Sequence, residues 1–260
     1  MIESLDYSEV PYLQDLLNYL PIAPADGEDV ITYIQNIINL IAVNYKYEQY
    51  QFAYFGVHLL YMTYIYSTTW KISKIAPERY GDSIIFARSY HGRDKDLNLD
   101  DVNTIFEYSL LPEKDIAKIF KIIGLDKSQI DGVGELVNTR NGMAHASGKF
   151  EILTEDGFDV KANTVLTSIK NIHISVEKQI RLWFSALLIE YCKGGFSEYS
   201  DFADIITEQM ISNFKLSANE LLVCKEMSVR DLISAHREFE KKLKGFKASI
   251  SSFCEEMGYV

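Results

Sequence analysis

Apolar residues recur three and four positions apart along most of this chain, with polar residues between them. That is the pattern of helices with one buried face. Leu13, Leu16, Leu17 and Leu20 mark a first helix that Pro21 and Pro24 close. Val30, Ile34, Ile37, Ile38 and Ile41 mark a second, with Asp29 as its expected cap. Phe52, Phe55, Leu59, Met62 and Tyr66 mark a long third that ends between Lys71 and Ile75, ahead of Pro77. Residues 79–99 are less regular. A short helix is predicted from Leu99-Asp100-Asp101 to Ser109; the next has Pro112 near its first turn, runs to Ile123 and takes Gly124 as its C-cap. Another spans Ser128 to Arg140 or Asn141, where Gly142 is expected to disturb it. Glu155-Asp156-Gly157 reads as a turn within Lys149 to Val160, a small hairpin or irregular loop. A long helix follows from Asn163 to Cys192, and Gly194-Gly195 ends it. Glu198 to Glu256 reads as two or three further helices.

The fold class this predicts is all-α. The glycine pair is the best boundary in the chain, dividing a main helical domain (1–195) from a C-terminal helical extension (196–260). Composition supports a large core: 47% of the 260 residues are hydrophobic, with 17 Tyr and 14 Phe, too many for a disordered chain. From Gln49 to Trp70 there is no Asp, Glu, Lys or Arg, but Gln, His, Thr and Ser interrupt the run, so a buried aromatic-rich helix is expected rather than a membrane span. Cys192, Cys224 and Cys254 are odd in number and lack CxxC spacing, and the N-terminus lacks a basic start and apolar run; reduced thiols in a cytoplasmic protein are the expectation.

The net charge is −11, which argues against a protein that coats nucleic acid generally. It leaves an RNA enzyme open, because charge farther than about 8 Å is screened at physiological salt. Residues 1–45 carry no Lys or Arg and read as a solvated acidic face. Near the C-terminus, Arg237, Lys241, Lys242, Lys244 and Lys247 outnumber Glu238 and Glu240; a solvated helix face is expected there in preference to an RNA guide. Several motifs fail: Asp94 to Ile105 has Leu99 where a calcium loop needs Gly, Gly132-Val133-Gly134 lacks the strand and third Gly of a dinucleotide site, and no His/Cys set has metal-ligand spacing. No cofactor is implied.

One segment carries readable chemistry. Arg140-Asn141-Gly142-Met143-Ala144-His145 brings a permanent cation, an amide and an imidazole within six residues. No acidic residue occurs from Asn138 to Phe150, which leaves a local window suited to a phosphate. An Arg with a His at this spacing arises by accident roughly 0.4 times in such a chain, and Asn directly after the Arg cuts that to roughly 0.02. A second match, Arg230 to His236, lacks the Asn and the Gly and reads as an exposed face of a long regular helix.

The hexapeptide resembles the signature of the HEPN superfamily, helical domains marked by Arg, four to six residues, then His, often with Asn after the Arg. The resemblance covers residues 28–192, and its specific part is Arg140, Asn141 and His145. It implies a HEPN-like helical bundle acting as a metal-independent endoribonuclease, a symmetric homodimer whose two motifs share one cleft. His145 would be general acid or base, Arg140 would stabilise the transition-state phosphate, and Asn141 would orient the reacting groups. A role as toxin or antiviral-defence effector, with an antitoxin or regulatory protein as partner, follows from the resemblance alone. Some members have Tyr two residues after the His; here that position is Ser147. Many place an acidic residue on a facing helix, for which Glu48 is the nearest candidate, with His58 as a polar substitute; otherwise His58 reads as a core histidine satisfied by a neighbour. Two rival readings remain: a non-catalytic dimeric module binding nucleotide, RNA or a partner protein, and an interaction protein in which Arg140 and His145 are structural.

Overall fold

The computed structural model describes residues 7–21, 28–87, 102–144 and 152–259. Its secondary structure there is helical, without a β-strand, so the protein is all-α. The α-helices are α1 (Leu13–Leu17), α2 (Glu28–Lys46), α3 (Tyr50–Ile75), α4 (Pro77–Ile84), α5 (Glu113–Ile116), α6 (Lys127–Ala144), α7 (Glu155–Cys192), α8 (Phe202–Ile205), α9 (Ala218–Glu226), α10 (Arg230–Ala235) and α11 (Glu240–Glu256). No helix among the described residues is long and apolar enough to cross a membrane.

Contacts divide the chain into two compact units, residues 1–20 with 26–175 and residues 21–25 with 176–260. The expected boundary at Gly194-Gly195 is therefore displaced: the division falls inside α7. The glycines still end the helix. Gly194 takes φ 91°, its N–H bonds Tyr191 O at 3.0 Å, and Gly195 N–H bonds Glu190 O at 3.0 Å, a Schellman closure that a left-handed glycine permits. A helix terminus breaks the backbone pattern, whereas this division follows packing.

In the first unit α3 is the centre. It is apolar nearly all round and buried at most positions, and α1, α2, α4, α5 and α6 pack on it, as do the 3₁₀ turns Ile105–Leu110 and Ala117–Ile123. The hairpin of α2 and α3 is tight at Gly56: a Cβ there would lie 2.4 Å from Ile41 Cγ1. Ile41 is itself fully buried and cannot retreat into solvent.

Several boundaries differ from expectation. Glu155-Asp156-Gly157 is the first turn of α7 rather than a loop. Thr154 caps it, its Oγ1 accepting from Gly157 N at 3.2 Å, and the two acids favour the positive helix end. Asp29 lies inside α2 instead of capping it. The segment before α5 starts at Thr104, whose side chain accepts from Phe106 N at 3.5 Å; Leu99 to Asp101 lie outside the described residues. The helix after Pro112 turns 3₁₀ from Ala117, and Gly124 closes it at φ 98°.

The second unit contains the end of α7, with α8, a π-helical segment (Ile206–Asn213) and α9 to α11. Phe184, Tyr191 and Phe202 gather round Phe246 of α11. Ser217 and Glu220 form a reciprocal capping box at the start of α9. All three cysteines are free and buried.

Two glycines test this packing. Gly56→Ala should lower unfolding free energy by about 1–3 kcal/mol through overpacking against Ile41. Gly81→Ala, in α4 with nothing within 4 Å of the added Cβ, should raise it by up to about 1 kcal/mol through helix propensity. Urea titration followed by circular dichroism reads both.

Candidate active site

α6 begins with a reciprocal pair: Gln129 N–H donates to Asp126 Oδ1 and Asp126 N–H to Gln129 Oε1, each at 2.9 Å. Val133, Leu136 and Val137 then bury one face. Arg140 follows three and four residues after Val137 and Leu136, so it extends that buried face and its side chain is 25% exposed. Gly142 was expected to break the helix here, but α6 continues through it to Ala144. An exposed glycine with helical neighbours costs only about 1 kcal/mol relative to Ala, too little to end a helix held by its buried face. Asn141 is half-buried on the same unbroken turn, and His145 lies outside the described residues.

The guanidinium meets a carboxylate from another element. Arg140 Nη2 donates to Glu113 Oε2, and His58 Nε2 stands 3.6 Å from the same oxygen, just beyond hydrogen-bond distance. Glu113 is the first residue of α5, directly after Pro112, and His58 belongs to α3. Burial would raise the Glu113 carboxyl, but His58 and Arg140 outweigh it and hold it below its ordinary value of 4.5. Tyr66 lies in the same field: burial raises its hydroxyl, Glu113 and Tyr33 add to the rise, and Arg140 opposes it. Arg140 Nε and both ring nitrogens of His58 are buried, with no hydrogen-bond partner among the described residues.

The carboxylate facing Arg140 is therefore Glu113. Glu48 sits exposed in the turn between α2 and α3 at φ 58°. Glu113 escaped sequence reasoning because it is 27 residues from its partner; the one local signal was a carboxylate after Pro112 at a helix start. His58 is buried as a core histidine would be, but its neighbour is a shared carboxylate rather than a hydrogen-bonding group.

The C-terminal basic cluster has structural partners. Lys242 Nζ donates to Cys192 O at 2.9 Å, Lys247 Nζ to Cys224 O at 2.8 Å and also to Lys225 O, and Lys244 pairs with Glu240. Lys242 and Lys247 thus satisfy the carbonyls that end α7 and α9. The second Arg–His match is interrupted: α10 ends at Ala235, and His236 at φ −138° precedes a 3₁₀ turn instead of continuing a long helix. Trp70 is buried, and Trp183 stacks on Phe214 at 3.9 Å. His91 and most of the rejected calcium-loop segment lie outside the described residues. Among the described residues no group of three or more His, Cys, Asp or Glu is arranged to hold a metal ion.

Chemically, this is a half-buried guanidinium fixed through one nitrogen. Guanidinium carries five donors, so with Nε buried and one N–H on Glu113, amino N–H groups are left over for an anion. Comparison with protein-family models, curated proteins and solved structures found no match. The fold and the cluster define an all-α protein in which Arg140, Glu113 and His58 converge from three helices.

Glu113→Gln should lower stability at pH 7 by about 1–3 kcal/mol, the usual range for losing a charge-assisted hydrogen bond. Because the native carboxyl is depressed, its stabilising contribution is present above its ordinary value of 4.5 and is lost as pH falls below it through the native value. Wild type should therefore lose stability in acid over that window more steeply than Glu113→Gln, as urea titrations at several pH values would measure.

Proposed function

We propose that the chain is a metal-independent endoribonuclease of HEPN type, with Arg140, Asn141 and His145 as its catalytic set. The observation that carries this reading is the pairing of Arg140 with Glu113. A catalytic guanidinium must be oriented before substrate arrives, and a carboxylate from a separate helix does that. It also supplies the facing acid that the sequence resemblance calls for. In the proposed reaction one imidazole of the composite site takes the proton of an RNA 2′-hydroxyl. The 2′-oxygen attacks the adjacent phosphorus and the bond to the 5′-oxygen breaks. A proton passes to that leaving oxygen, giving a 2′,3′-cyclic phosphate and a 5′-hydroxyl. Arg140 offsets the charge that builds on the phosphate oxygens. The cellular role this suggests is a toxin or antiviral effector acting on RNA in the cytoplasm.

One observation favours a second reading, a dimeric module that binds RNA, a nucleotide or a protein without cutting. Glu113 neutralises much of the charge Arg140 would offer a phosphate.

Purified protein should cleave RNA in EDTA and leave a 2′-deoxy substrate intact. Arg140→Ala and His145→Ala should each lower the rate roughly 10²–10⁴-fold. RNA retained without cleavage by the wild type would replace the first reading with the second, and cleavage undiminished by both substitutions would remove the proposed catalytic set.

A further inference from the structure

A groove of about 280 Å³ runs between α6 and α7. Leu136 and Ile172, both buried, form its apolar base. Its walls carry hydroxyls and amides: Ser128 and Gln129 from α6, Thr167 and Asn171 from α7. Lys127, Asp131, Glu135 and Lys170 flank it on the same helices, but none of these charged side chains lines it. Much of the hydrogen-bonding capacity is unused. Ser128, Thr167 and Asn171 make no side-chain hydrogen bond among the described residues, and Gln129, whose Oε1 accepts from Asp126 N–H, keeps its NH₂. Thr167 and Asn171 are one turn apart and face the same way.

Two routes tie the groove to the Arg140 cluster. Along α6, Gly132 and Leu136 line the groove four residues apart, and Arg140 is the next step, about 6 Å further along the axis. Across α3, Tyr61 shares a hydrogen bond of 3.0 Å with Ser168, which lines the groove. His58, one turn before Tyr61, stands against Glu113, the partner of Arg140.

An ionised group would find no counter-charge in this lining, and a wholly apolar one would leave its amides and hydroxyls without partners. A flat neutral ring with polar edges meets both conditions. Its faces would lie on Leu136 and Ile172, and its edges would meet amides, which pair with base edges through two hydrogen bonds. Unstacked bases of single-stranded RNA are read in this way. The volume lies just below the about 300–1,000 Å³ of small-ligand sites, which suits one base with its sugar. We propose that the groove receives the base and sugar of one RNA nucleotide whose phosphate lies at Arg140, with Asn171 and Gln129 selecting the base. The proposal rests on Arg140 as a phosphate-binding group, which the cutting and the binding readings share.

Isothermal titration of the full chain with the four nucleoside 3′-monophosphates, and with inorganic phosphate as the base-free probe, tests the groove. At least one nucleotide should bind about 10-fold or more tighter than phosphate. Gly132→Leu puts a side chain into the groove, where an added Cβ meets nothing within 4 Å. It should abolish that advantage, leave phosphate binding unchanged and not lower the urea midpoint. Asn171→Ala should weaken the preferred nucleotide at least about 5-fold. A short 2′-deoxy oligonucleotide, which the proposed reaction leaves intact, should displace the nucleotide. Nucleotides bound no tighter than phosphate, full nucleotide affinity in Gly132→Leu, or a nucleotide that the oligonucleotide fails to displace would overturn the proposal. Cleavage assays in EDTA keep the two readings apart. A wild type that binds the nucleotide and cuts nothing removes the ribonuclease reading alone, whereas a Gly132→Leu protein that cuts RNA at the wild-type rate and with the wild-type base preference removes the groove alone.

Discussion

A helix with no charged side chain between Gln49 and Trp70 offers water little, so its neighbours must cover it. α3 meets that requirement by taking α2 along one side, α1, α4, α5 and α6 on others, and the first half of α7, where Tyr61 meets Ser168 and Tyr64 donates to Ile169 O. Gly56 permits the closest of these approaches, with Ile41 occupying the space a side chain would fill. The site follows from the same arrangement. Because α5 and α6 both lie against α3, Glu113 and Arg140 are brought to one another, and His58 of α3 is enclosed behind them.

The Arg140–Glu113 pair is neither a surface ion pair nor a fully buried one. Each side chain keeps about a quarter of its exposure, so desolvation is partial and the attraction is stronger than at an open surface. Arg suits the position better than Lys would. The planar guanidinium can bind the carboxylate with one edge and leave others for a second anion, whereas an ammonium is a single point of charge. His58 sets its ring against the same carboxylate, which ties the cluster to the core helix.

The all-α class was legible because apolar spacing is a local property, and the ends of α3 and of α7 at Cys192 could be read from Pro77 and Gly194. Errors came where local signals competed. Glu155-Asp156-Gly157 has the composition of a turn and also of a capped helix start, and only the bond from Gly157 to Thr154 distinguishes them. Gly142 has the composition of a helix break, yet the buried face of α6 carries the helix on to Ala144. Arg140 could be singled out as a reactive type, but its partner Glu113 could not. Their pairing depends on how α5 and α6 are laid on α3, which no spacing rule encodes. The C-terminal lysines show the same limit, since a basic cluster on paper gives no hint that Lys242 and Lys247 end on backbone carbonyls.

Those two lysines bear on the order in which the chain acquires its structure during synthesis. The carbonyls ending α7 and α9 are met by side chains of α11, translated 50 and about 23 residues later. At roughly 5–20 residues added per second, the two helix ends wait on the order of one to ten seconds for their partners. The second unit therefore stays open at both of those termini until α11 has been made.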